Sequence, residues 1–124
     1  MVTLTKAEEK IMMILWDIKK GFIKDIIEEY PEPKPPYNSV STIVRVLVQK
    51  EIVGYTAYGK SHQYYPLIHK DEYSKGQLSR LMKDYYNDSL KQVVNFFSES
   101  KKLDDKELDE AIQLLKELKS GKHE

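Results

Sequence analysis

The run Pro31-Glu32-Pro33-Lys34-Pro35-Pro36 constrains this chain more than any other stretch. Its prolines lack the N–H groups that a helix or a sheet ladder requires, so no regular element crosses it. Whatever lies on either side must end and begin there. Before it, Ile23, Ile26, Ile27 and Tyr30 share one face of a short helix, with Lys24, Asp25, Glu28 and Glu29 on the other. After it, Val40, Ile43, Val44 and Leu47 recur at i, i+3, i+4 and i+7. That spacing predicts a helix capped by Asn38 or Ser39 and ending near Lys50. The result is two helices joined by a stiff turn.

Upstream, Thr5 and Glu8 stand at capping-box spacing, and Ala7, Ile11, Ile14, Leu15 and Ile18 follow at helical intervals until Gly21 stops the helix. Downstream the period changes. Ile52 to Tyr58 and Gln63 to Leu67 are rich in Tyr, Val and Thr, and Gly59-Lys60-Ser61-His62 between them has hairpin chemistry. Pro66 makes the second strand an edge or ends it. Two strands alone are marginal in water, so the hairpin must lean on the helices. Residues 1–69 therefore read as one unit of three helices and a hairpin.

Residues 70–124 read as helical. Tyr73, Leu78, Leu81, Met82 and Tyr85 form one stripe, interrupted by Gly76. Asn87-Asp88-Ser89 marks a break and a new cap, after which Leu90, Val93, Val94 and Phe97 give a second stripe with Phe96 beside it. Asp104 or Asp105 caps a last helix carrying Leu108, Ala111, Ile112, Leu115 and Leu118, and the tail from Ser120 to Glu124 is expected to fray. A lone arm of this kind has too little core of its own to cover its apolar faces. The same arm from a second copy solves that problem, which predicts a homodimer through residues 70–118. Its contacts would be Leu78, Leu81, Met82, Tyr85, Val93, Val94, Phe97, Leu108, Ile112 and Leu115.

Catalysis finds little support. The 124 residues include no cysteine, which removes disulfides, thiolate zinc sites and thiol nucleophiles. Of the histidines, His62, His69 and His123, none has a metalloprotease spacing to a glutamate. There is no Gly-rich phosphate loop and no Gly-x-Ser-x-Gly. Acid pairs such as Glu8-Glu9, Glu28-Glu29 and Asp104-Asp105 occupy adjacent helix positions whose side chains diverge, and they read as solvated faces and helix starts. No enzyme, cofactor or metal site is expected. The apolar run Ile11 to Trp16 is far short of the ~20 residues of a membrane span, so a soluble cytoplasmic protein without membrane insertion is expected.

Lys and Arg balance Asp and Glu over the whole chain, but not along it. Residues 34–69 carry Lys34, Arg45, Lys50 and Lys60 against Glu51 alone. On the helix after the prolines, the face opposite the apolar stripe presents Asn38, Thr42, Arg45 and Gln49, with Ser41 on its flank and Ser39 near the start. These side chains match the base edges of the DNA major groove: Arg to guanine, Asn or Gln to adenine, Thr through hydroxyl or methyl. The helix stands second in a helix–turn–helix and is followed by a hairpin with Lys60 and His62 at its tip. That order is a winged helix, in which the second helix enters the groove and the hairpin touches backbone or minor groove. Tyr55, Tyr58, Tyr64 and Tyr65 read as cross-strand packing, with Tyr58 also placed for a phosphate contact. The competing reading is a winged-helix adaptor whose polar helix face meets a partner protein.

Over nearly its full length the chain resembles the BlaI/MecI/CopY family of penicillinase-type repressors. The stretches that carry the resemblance are Leu4-Thr5-Lys6-Ala7-Glu8 leading to Ile14-Leu15-Trp16-Asp17, Asn38-Ser39-Val40-Ser41-Thr42-Ile43 to Leu47, Lys50-Glu51-Ile52-Val53, and the wing ending in Tyr64-Tyr65-Pro66. The resemblance implies a mainly α fold with a small β-hairpin: a winged helix-turn-helix head and a C-terminal helical dimerisation arm. It also implies a dimeric repressor of palindromic operator DNA, controlling β-lactam-resistance or metal-homeostasis genes. Antibiotic-responsive members are relieved when a membrane sensor metalloprotease, or a process it triggers, leads to cleavage of an Asn-Phe bond in the dimer region. Here Asn95-Phe96 falls at the corresponding place. The chain departs from the family in two respects. It lacks the cysteine motif of copper-responsive members, and it has Val46 where a base is usual.

Overall fold

Thr5 starts the first helix through a reciprocal pair of hydrogen bonds. Its hydroxyl accepts from the Glu8 N–H at 3.1 Å, while its own N–H donates to Glu8 Oε1 at 2.9 Å. In the computed structural model, which describes residues 2–100 and 104–121, the elements run α1 (Lys6–Ile18), α2 (Ile23–Glu28), α3 (Tyr37–Gln49), β1 (Val53–Tyr58), β2 (Ser61–Pro66), α4 (Lys70–Tyr86), α5 (Leu90–Ser100) and α6 (Asp105–Ser120). They divide into two compact units, Met1–Leu78 and Ser79–Glu124.

In the first unit, Ile11, Met12 and Leu15 of α1, Ile26 of α2, Val40, Val44 and Leu47 of α3, and Val53 of β1 are fully buried together. Met12 lies inside and Ala7 outside, so the buried face of α1 is turned slightly from the stripe expected from sequence. Glu8 is also buried, at 4% exposure. Burial by itself pushes its carboxyl up, but the Lys50 ammonium at 2.7 Å and the Thr5 N–H together hold it below the usual glutamate value. This pair ties the start of α1 to the end of α3.

Helix α3 begins earlier than its polar residues suggested. Pro36 is the N-cap, and Asn38 and Ser39 lie in the first turn, leaving their side chains free of any capping role. Its far end closes with two bonds, from Glu51 N–H to the Val48 carbonyl and from Ile52 N–H to the Leu47 carbonyl, both 3.0 Å. This is a Schellman closure with Glu51 at φ 62 in the place glycine usually takes.

The strands pair antiparallel with Val53 opposite Pro66 and Tyr58 opposite Ser61. The turn is thus two residues, Gly59 at φ 63 and Lys60, rather than the four expected. Ser61 and His62 belong to β2. Gly21 does not stop α1, which ends at Ile18. Its N–H and carbonyl instead bond both ways with Tyr64, at 2.9 and 2.8 Å, adding a third, one-residue rung beside β2. That bridge, with Ile52, Val53 and Tyr64 in the core, is how the hairpin leans on the helices. Three helices and a packed wing make a winged helix-turn-helix.

Tyr73, expected in the stripe of the later helices, is buried against α1. Its ring centroid lies 5.6 Å from that of Trp16, and its hydroxyl donates to Glu9 Oε2 at 2.6 Å. Trp16 Nε1–H donates to the Ile68 carbonyl at 2.9 Å, fixing the connection between wing and α4.

Among its described residues the second unit has helices as its regular structure. Asn87 and Asp88 take φ 52 and 57 to break the chain after α4, and the Ser89 hydroxyl accepts from Gln92 N–H at 3.2 Å. Asp104 is the cap of α6, accepting from Glu107 N–H at 2.8 Å, and Gly121 ends that helix in the left-handed conformation. Ser120 is therefore helical, and His123 lies outside the described residues. Neither α5 nor α6 has a buried residue. Among the described residues no helix is long and apolar enough to cross a membrane.

Candidate nucleic-acid interface

The outward face of α3 carries Asn38, Ser39, Thr42, Arg45 and Gln49, all exposed. Ser41 is the exception. Expected on the flank of this face, it is buried at 6% exposure, and its hydroxyl accepts from Arg45 Nη2 at 2.9 Å. Its place is therefore behind Arg45, holding one edge of the guanidinium and leaving the other N–H groups free. The Thr42 hydroxyl donates to the Asn38 carbonyl one turn back at 2.8 Å, so outward it offers its methyl and an acceptor lone pair.

Beside this face opens a cleft of about 590 Å³ between α2, α3 and the wing. Arg45 and Ser41 line it from α3, and Tyr58, Lys60, Ser61, His62 and Tyr64 from the hairpin. His62 does not stand at the wing tip. It lies in β2 with its ring stacked on Tyr55, centroids 4.2 Å apart and planes within 9°. Tyr64 pairs across the sheet with Tyr55 and is buried, as cross-strand packing requires. Burial and the Tyr37 phenol raise its pKa, with Arg45 pulling the other way, so its hydroxyl stays protonated in the cleft. Tyr58 is 57% exposed, with its ring centroid 6.0 Å from that of Phe22.

Three lining residues had no signal in the sequence: Phe22, Lys24 and Tyr37. Lys24 sits on the polar face of a short helix in an acid-rich segment, and only the fold brings it beside Arg45. The reverse holds for two bases of the acid-poor stretch. Lys34 Nζ donates to the carbonyls of Ile27, Glu28 and Tyr30 at the end of α2, and Lys50 is paired with Glu8. The basic side chains that line the cleft are thus Lys24, Arg45, Lys60 and His62, and no carboxylate lines it. Among the described residues no three His, Cys, Asp or Glu side chains cluster as metal ligands.

The model of the family described as penicillinase repressor matches residues 4–117. The chain belongs to the penicillinase repressor family. As a member of that family it is a transcriptional repressor. A solved structure titled "CopR Repressor Structure" is 25% identical over 55% of this chain and 100% of that one, with a TM-score of 0.45. No curated protein sequence matches the chain.

Proposed function

We infer that this penicillinase repressor acts as a homodimer on palindromic operator DNA, each copy offering α3 to a major groove and its wing to the adjacent backbone. In this reading the head comprises residues 1–69 and the dimerisation domain residues 70–124. The single observation that carries the reading is the carboxylate-free cleft, where Lys24, Arg45, Lys60 and His62 converge beside the exposed polar face of α3. Asn38, Thr42, Arg45 and Gln49 meet base edges, Ser41 steadies Arg45, and Ser39, Tyr58, Lys60 and His62 meet phosphates. The adaptor alternative loses ground because a protein partner would be met by mixed charge, whereas this cleft is uniformly suited to an anion.

Dimerisation is supported by the apolar stripes of the later helices. Leu78, Leu81 and Tyr85 of α4, Val94 and Phe97 of α5, and Leu108, Ile112 and Leu115 of α6 are all exposed in the single chain, while Met82 and Val93 are half-buried. Leu114 joins them, unforeseen from sequence. Relief of repression would follow cleavage at Asn95-Phe96, prompted by a membrane sensor metalloprotease at β-lactam-resistance-type genes. That bond lies within α5, so the helix must open locally for a protease to reach it.

The test is a gel shift with DNA from upstream of the protein's own gene, repeated across salt concentrations. The repressor reading expects a logarithmic fall in affinity with salt that reflects several neutralised phosphates. Absence of binding at low salt overturns it in favour of the adaptor.

A further inference from the structure

The cleft beside α3 offers more than a strip of positive charge. Its volume of about 590 Å³ lies inside the ~300–1,000 Å³ range of sites for small molecules. Four of its side chains are aromatic: Phe22, Tyr37, Tyr58 and Tyr64. A phosphate passing over a surface needs cations and donors, and gains nothing from a concave wall of rings. A flat apolar body gains a great deal, through ring contacts offset or edge-on. Four others, Lys24, Arg45, Lys60 and His62, supply nitrogen donors, and no competing carboxylate lines the cleft. Arg45 uses Nη2 on Ser41, which fixes its plane and leaves N–H groups for a carboxylate, the acceptor that a guanidinium matches best. The protonated Tyr64 hydroxyl adds a neutral donor.

We propose that this cleft is an effector site for a small planar aromatic anion, and that its occupant releases DNA by engaging Arg45 and Lys60. One guanidinium cannot hold the effector's carboxylate and a base edge at once, so the two ligands exclude each other. The exclusion rests on the operator reading above; the binding of the anion does not.

The test uses the full chain with 2-naphthoate as probe and 2-naphthylmethanol as its neutral counterpart. Amide NMR shifts are followed without DNA, and gel shifts with the upstream DNA. Naphthoate is expected to move the Ser41, Arg45 and Ser61 amides saturably. Loss of the charged contact should make the alcohol about tenfold weaker. Lys24→Gln should weaken naphthoate about fivefold, whereas Lys116→Gln, in α6, should not change it. Naphthoate at saturating concentration should release bound DNA. Equal binding of the alcohol, or shifts confined to other residues, overturns the site. Naphthoate bound with DNA still in place overturns the exclusion. If DNA binds and naphthoate does not, this inference fails while the operator reading stands; if naphthoate binds and no DNA does, the operator reading fails instead.

Discussion

The two units of this repressor use their apolar side chains in opposite ways. Residues 1–78 build a core, with eight side chains from Ile11 to Val53 fully enclosed by α1, α2, α3 and β1. In residues 79–124 helices α5 and α6 bury none, and Tyr85 of α4 is 74% exposed. Each helix there still repeats its apolar residues at the spacing that a buried face has. A stripe kept in register but left uncovered marks a surface built to meet another surface. The first unit thus encloses a core of its own, whereas under the proposed dimer a second copy would cover the stripes of the second.

The largest expected effect breaks this contrast directly. Ile112→Asp with Leu115→Asp should abolish dimers in sedimentation while leaving the near-UV spectrum of the Trp16–Tyr73 cluster intact. Two heads that no longer act together lose the advantage of linked binding, about 10²–10⁴ in operator affinity. Retained dimers would place the interface elsewhere. A second experiment sharpens the contrast. Leu47→Ala empties space in the first core and should cost about 2–5 kcal/mol, at any protein concentration. Leu115→Ala should instead give a melting temperature whose deficit depends on concentration, because it acts through association.

A smaller effect separates charges by task. Arg45→Ala should cost about 1–3 kcal/mol on the cognate site and relax its sequence preference. Lys60→Ala should weaken all sequences alike and reduce the salt slope by roughly one. Lys34→Gln removes the same formal charge from the same acid-poor stretch, but Lys34 is engaged with the end of α2. The salt slope should stay unchanged, at some cost in stability. A slope that falls equally for Lys34 and Lys60 would remove the distinction between structural and interfacial cations.

That pair also shows what the sequence could and could not reveal. The order of helices, prolines and hairpin was legible because each signal is local: proline chemistry, an i, i+3, i+4, i+7 stripe, a change of period. The break at Asn87-Asp88 was legible for the same reason. The partners of Lys34 and Lys50, the pairing of Gly21 with Tyr64, and the arrival of Lys24 and Tyr37 beside Arg45 depend on packing between elements. Ser41 sat at the edge of the polar arc, where a few degrees of helix rotation decide between solvent and core. His62 was misplaced by turn length, since a two-residue turn draws into the strand what a four-residue turn would leave at the tip.

The smallest effect concerns the seam between recognition helix and wing. Glu51 holds a left-handed backbone angle, where an L residue other than glycine is disfavoured by about 1–2 kcal/mol. Its side chain is exposed, and among the described residues none forms a hydrogen bond or ion pair with it to offset the strain. Glu51→Gly keeps both closing bonds, to Val48 and Leu47, while relieving the crowding at Cβ; the greater freedom of glycine in the unfolded chain offsets part of that gain. The expected result is a net stabilisation of about 0.5–1 kcal/mol in denaturant unfolding, with an unchanged m-value. Under the proposed dimer the first unit owes nothing to association, so the gain should be the same in the wild-type background and in the Ile112→Asp, Leu115→Asp variant. A gain that appears only in the dimer would mean that the end of α3 feels the second copy, and the independence of the two units would have to be given up.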